Sequence, residues 1–154
     1  MTEKLTNEQF TETAFIFEKA NGNSHSEYEK RIIAESELTK FKPTDLEKII
    51  VDGLNSGIYE NEEERVSGYW SLSKIGNQNL ISEFKKWLRT ELENENGIAV
   101  FQILVALDRL DEPAFNKNRT GRGADETELN LRDAKEYLNK NSAQQRTELK
   151  NKYY

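Results

Sequence analysis

The segment NKNRTGRGADETEL, residues 116–129, brings cations and glycines together in an otherwise acidic chain. Lys117, Arg119 and Arg122 lie near two glycines, and such a combination can bind phosphate or carboxylate groups. A nucleotide-binding P-loop needs its glycines between a strand and a helix, with a lysine before a serine or threonine. The segment has neither feature. Two interpretations stay open: these three cations contact a partner, or the segment is a solvated, mobile insertion, which is the commoner case.

Carboxylates form two further clusters that could bind a cationic partner. One lies in the run YENEEER and the other follows a long apolar segment. The run YENEEER lacks the alternating oxygen ligands and the glycine of a calcium loop, and a solvated helix start is the commoner explanation for such a run. We expect both clusters to lie at helix ends along one edge of the protein, where they would contact a basic partner. The candidate residues are Glu60, Glu62, Glu63, Glu64, Asp108, Asp111 and Glu112.

Other side chains with versatile chemistry are few. The chain has no cysteine and a single histidine, His25, which has no nucleophile beside it. Disulfides, thiolate zinc sites and most catalytic constellations are thereby excluded. Trp70 and Trp87 could line a groove, although aromatic residues at helical spacing more often pack in a core. The sequence therefore predicts no enzyme activity, no metal and no cofactor.

Composition and charge limit the class of protein. The 154 residues fit one domain, and neither an apolar run long enough to cross a membrane nor a signal peptide is present, so a cytoplasmic location is expected. Residues 1–116 carry 22 Asp or Glu against 13 Lys or Arg, whereas residues 117–154 carry 6 against 9. Because a generally acidic body repels a phosphate backbone, nucleic acid is an unlikely partner.

Hydrophobic periodicity predicts helices nearly throughout. The segment 97–110 is apolar nearly all round and fits a buried helix or a strand, and its length favours a helix. A long loop near 111–127 and a polar tail near 140–154 complete the single domain. The predicted helices span 7–20, 25–39, a third from the Thr44 N-cap to Gly57 with Glu47 in a capping box, 61–75, a stripe from Leu80 to Leu92, 97–110, and a last one around Leu131, Ala134 and Leu138.

Two helix ends share a pattern. SLSKIGN at 71–77 aligns with ALDRLDE at 106–112 at an offset of 35 residues, and the glycine of the first can take the left-handed conformation that ends a helix. Over residues 61–115 the chain resembles the HEAT-like repeats of bacterial proteins, whose helix ends read approximately Ala-Leu-x-x-Ile-Gly-Asp-Pro. Asp111 stands where that pattern has glycine. The resemblance implies an all-α fold, a short antiparallel helical stack like a HEAT-like α-solenoid.

Three classes of function are compatible with these features. The first is a protein-binding module, and its most specific form is a bacterial immunity protein that neutralises a basic toxin domain by direct binding. The second is an enzyme acting on nucleic acid, resembling the HEAT-like DNA glycosylases, for which a basic concave face would be needed. The third is a regulatory or structural subunit of a larger assembly.

Overall fold

A computed structural model of the protein defines the backbone of residues 4–153 and the side chains of residues 4–140. Every regular element within those residues is a helix and none is a strand, which confirms the all-α prediction. The chain divides into two compact units, unit 1 ending at Gly76 and unit 2 beginning at Asn77. The single domain and the solenoid arrangement stay predictions.

Unit 1 is built around its first helix. Helix α1 (Asn7–Ala20) packs against α2 (Glu27–Glu35), α3 (Pro43–Ser56) and α4 (Glu62–Leu72), and also against a short 3₁₀ helix at Glu37–Lys40. The predicted apolar face of α1 is buried. Its aromatic and small side chains recur every three or four residues, which places them on one face of the helix. The buried core of unit 1 includes Phe10, Ala14, Phe17, Leu46, Ile50 and Leu72.

Predicted boundaries of three helices in unit 1 are wrong. Helix α4, predicted to reach residue 75, ends at Leu72, because residues 73–75 form turns. The helix expected over 25–39 ends at Glu35, because Ser36 is extended and its hydroxyl accepts a hydrogen bond from the backbone of Leu38 at 3.1 Å. That local bond competes with helix continuation. Thr44 is not an N-cap: Lys42 occupies that place and Pro43 is the first helical residue, where its fixed φ suits the helix. Thr44 therefore lies inside the first turn.

Unit 2 contains the most apolar helix of the chain. Helix α6 (Gly97–Arg109) packs against both α5 (Ile81–Glu93) and α7 (Thr127–Tyr153), which confirms that residues 97–110 form a helix and not a strand. A 3₁₀ helix at Gln78–Leu80 precedes α5. Trp87 is buried, in edge-to-face contact with Phe84. The predicted polar tail is helical as far as Tyr153, and its side chains from residue 141 onward lie outside the described residues.

The two similar segments share a left-handed residue at the aligned position, directly after the C-cap of α6 and three residues after the C-cap of α4. Gly76 has a φ of 73° and Asp111, 35 residues later, has a φ of 63°. At the second end the N–H of Glu112 donates to the carbonyl of Leu107 at 3.0 Å, the bond that closes a Schellman motif. The left-handed conformation predicted for the glycine is confirmed, and an aspartate adopts it at the other site.

In the described part of the chain, none of the helices has both the length and the apolar character needed to cross a bilayer.

Candidate functional site

Arg119 is the centre of the basic loop that joins α6 to α7. Its side chain is 2% exposed, and Nη1 donates to Asn130 Oδ1 at 2.8 Å and to Asp133 Oδ2 at 3.1 Å. Nε donates to the carbonyl of Gly121 at 3.0 Å, which ties the loop's own turn to the same group. Both partners on α7 are fully buried or nearly so. Arg119 is therefore an internal residue that holds the loop in place.

Further contacts attach the loop to one face of α7. The backbone N–H of Asn116 donates to Asp133 Oδ2 at 3.2 Å, and its amide donates to Glu136 Oε2 at 3.0 Å. The hydroxyl of Tyr137 donates to Glu112 Oε1 at 2.6 Å. Positions three and four apart on a helix share a face, so these α7 side chains form one polar stripe. The long connection is a packed structure with a defined path.

Lys117 and Arg122 are the exposed cations of the loop. The Arg122 guanidinium lies over the Phe115 ring at 4.6 Å and forms an ion pair with Asp108 at 3.2 Å. Both side chains of that pair are nearly half exposed, so solvent screens it and it contributes little to stability. Of the three loop cations named from the sequence, these two are accessible to a partner.

The acidic candidates of unit 2 are mostly engaged by neighbouring side chains. Asp108 pairs with Arg122, and Glu112 accepts the Tyr137 hydroxyl and lies 3.8 Å from the Lys85 ammonium. Asp111 is exposed at the left-handed helix end. Of the three carboxylates predicted at this helix end, Asp108 and Glu112 face cations and Asp111 points to solvent.

The acidic candidates of unit 1 lie at the start of α4. Asn61 caps the helix by accepting a hydrogen bond from the Glu64 backbone at 2.8 Å, and Arg65 fixes the preceding turn through the carbonyls of Tyr59 and Glu60. The Glu64 carboxylate binds Lys4 at 2.8 Å, and this hydrogen bond raises the pKa of Lys4 above its usual value. Carboxylates are favoured at a helix N-terminus by the helix dipole.

Glu60 and Glu63 are both exposed, and Glu62 is partly exposed in the same turn. Glu62 through Glu64 form the first turn of α4, with Glu60 just before its cap. These side chains, Glu60, Glu62 and Glu63, define what we call the acidic turn. The candidate residues from unit 1 therefore lie together, because they are neighbours in the sequence.

The net charge of the protein belongs to unit 1. Residues 1–76 carry 15 Asp or Glu against 9 Lys or Arg, whereas residues 77–154 carry 13 of each. The field of unit 1 is that of an acidic surface, and unit 2 adds no net charge to it.

Asn130 and Asp133 were missed by sequence reasoning. Both side chains are buried between the apolar residues of α7 and the loop. Asn130 and Asp133 are three residues apart, so they share one face of α7. That spacing, on a helix with apolar residues at its other buried positions, is the sequence signal for a polar stripe.

No group of three or more His, Cys, Asp or Glu side chains suited to a metal ion exists among the described residues. Comparison of the chain with protein-family models, with curated proteins and with solved structures found no match.

Proposed function

We propose that the protein is a binding module that recognises a basic protein through the acidic turn of unit 1. Its most specific form is a cytoplasmic immunity protein of bacteria that neutralises a toxin by direct binding. The observation that carries the proposal is the placement of charge: unit 1 holds the whole net charge, and the acidic turn presents Glu60 and Glu63 to solvent.

Electrostatic complementarity acts mainly on the rate and the specificity of association. A partner with a basic surface would be steered to unit 1, because the carboxylates of the acidic turn add to the negative field of the whole unit. The carboxylates at the end of α6 contribute less, since Asp108 and Glu112 already face cations of unit 2. The exposed loop cations Lys117 and Arg122 offer the opposite kind of contact and are the competing site.

The test begins with capture of partners from a native lysate by tagged wild-type protein, and with identification of each captured protein. The partner is then expressed alone and together with the wild-type chain. For an immunity protein we expect the partner alone to arrest growth and co-expression to restore it. A partner that does not impair growth would contradict the toxin-neutralising role and favour a subunit of a larger assembly.

Charge variants locate the contact. Glu60→Lys with Glu63→Lys should lower the association rate by about tenfold, within the range that electrostatic steering supplies. Glu93→Lys with Glu128→Lys is the matched control, because it changes net charge equally at exposed residues of unit 2. Lys117→Glu with Arg122→Glu tests the loop. Loss of binding in the loop variant alone would refute the acidic turn as the site.

A further inference from the structure

A cavity of about 390 Å³ lies in unit 1, where α1 ends and the chain turns into α2. Its lining includes Lys19, Ser24, His25, Lys30, Ile33 and Thr39. The volume lies within the range of cavities that hold small ligands, which is roughly 300–1,000 Å³. The cavity is separate from the acidic turn, whose residues are not among those that line it.

His25 is the unexplained group in this cavity. Its side chain is 3% exposed, and its Nε2 is buried without a hydrogen-bond partner among the described residues. The Glu18 Oε2 atom is 3.9 Å away, which is beyond hydrogen-bonding distance. The ring is held by an edge contact with Phe15. A buried polar nitrogen without a partner is costly, so a ligand atom that accepts from Nε2 would be stabilised.

The groups around His25 favour an anion. Lys19 and Lys30 are exposed lysines at the rim, and the hydroxyls of Ser24 and Thr39 add neutral donors. Lys30 has a surface pair with Glu27 at 3.4 Å, in which both side chains are mostly exposed, and such a pair is easily exchanged for another anion. Two cations converge here on a unit whose balance is otherwise acidic.

Three carboxylates near the cavity, Glu18, Glu27 and Glu29, oppose an anion, so their own partners matter. Glu29 accepts hydrogen bonds from the backbone and the hydroxyl of Ser26 in the capping box of α2, and these bonds lower the pKa of its carboxyl group. Its Oε1 is thus committed to the helix start. The Glu18 carboxylate lies 3.9 Å from the same Nε2 that would donate to the ligand, and its side chain is partly exposed, so it has to turn toward solvent when an anion binds.

We propose that this cavity binds the phosphate group of a small phosphomonoester. His25 Nε2–H and the ammonium groups of Lys19 and Lys30 donate to the phosphate oxygens, with Ser24 and Thr39 as hydroxyl donors. Lysines bind phosphate as point charges and need no planar fork, which suits an anion with oxygens on several sides. The apolar body of the ligand packs on Ile33, which forms the buried part of the lining. The proposal does not depend on the function of the acidic turn.

The single histidine makes the test direct, because the chain gives one set of imidazole signals. Nitrogen-resolved NMR of the imidazole is recorded while inorganic phosphate, phenyl phosphate and benzyl alcohol are titrated separately into the intact protein. We expect saturable shifts with both phosphates, larger at Nε2 than at Nδ1, and tighter binding of phenyl phosphate than of inorganic phosphate. No saturable shift with either phosphate would overturn the proposal, as would benzyl alcohol binding as tightly as phenyl phosphate.

Lys30→Ala supplies the second measurement. It should weaken phenyl phosphate binding by about tenfold, as expected for the loss of one charged hydrogen bond. Lys48→Ala is the matched control, because Lys48 is also an exposed helical lysine of unit 1 that pairs with a carboxylate, here Asp52 at 3.1 Å. Equal weakening in both variants would show a general charge effect and would also overturn the site.

Discussion

At the scale of single residues, Arg119 and Arg122 share one loop but differ in their surroundings. Both guanidinium groups lie over Phe115 and both pair with an aspartate, yet the Arg119 side chain is 2% exposed and that of Arg122 is 48% exposed. Removing one member of a buried pair leaves the other charge without compensation, whereas a surface pair contributes little. The same residue type therefore has a structural role at one position and is available for recognition at the other.

We expect Arg119→Met to lower the free energy of unfolding by about 3 kcal/mol, the lower end for a broken buried pair, because Arg132 still reaches Asp133 Oδ1 at 3.0 Å. Arg122→Met is the matched control and should cost less than about 1 kcal/mol. Urea unfolding of both variants measures the difference. Equal losses would show that burial does not distinguish the two arginines.

At the scale of elements, local periodicity in the sequence predicts where helices lie, but it predicts their first and last residues less well. The predicted span of α1 agrees with the structure to the residue, since its apolar face and Gly22, which follows the C-cap with a φ of 82°, are both local signals. Thr44 does not cap α3 because Pro43 already starts that helix, and Ser36 ends α2 where periodicity alone would continue it. The burial of Arg119 could not be predicted, because it depends on Asn130 and Asp133, which only the folded loop brings to it.

The left-handed residues Gly76 and Asp111, which follow α4 and α6, give a prediction at this scale. A non-glycine residue in the left-handed conformation costs about 1–2 kcal/mol. Glycine removes this cost but loses more conformational freedom on folding. Asp111→Gly should therefore stabilise unit 2 by up to about 1 kcal/mol. Gly76→Ala should destabilise unit 1, because Gly76 has a φ of 73°, which alanine adopts only with strain. A steric clash is not the reason, since an added Cβ would meet nothing within 4 Å. Thermal unfolding measures both. Stability unchanged in Gly76→Ala would refute strain as the reason for glycine there.

At the scale of the whole molecule, the distribution of charge determines what salt should do to association. Long-range attraction between an acidic unit 1 and a basic partner is screened as the Debye length falls, from about 10 Å at 0.1 M salt to about 3 Å at 1 M. The association rate should therefore decrease with salt while the dissociation rate changes little, because steering acts before the contact forms. This separates steering from short-range contacts, which salt weakens less.

Stopped-flow measurements with the captured partner test this across ionic strength. The quantity compared is the slope of the association rate against salt. We expect the acidic-turn variant, Glu60→Lys with Glu63→Lys, to change this slope from its wild-type value. The unit 2 control, Glu93→Lys with Glu128→Lys, should change it less. The reason is that the field at a contact depends on the charges that form the contact and not on net charge alone. If both variants flatten the salt dependence equally, only the total charge matters, and the acidic turn is not the place where the partner docks.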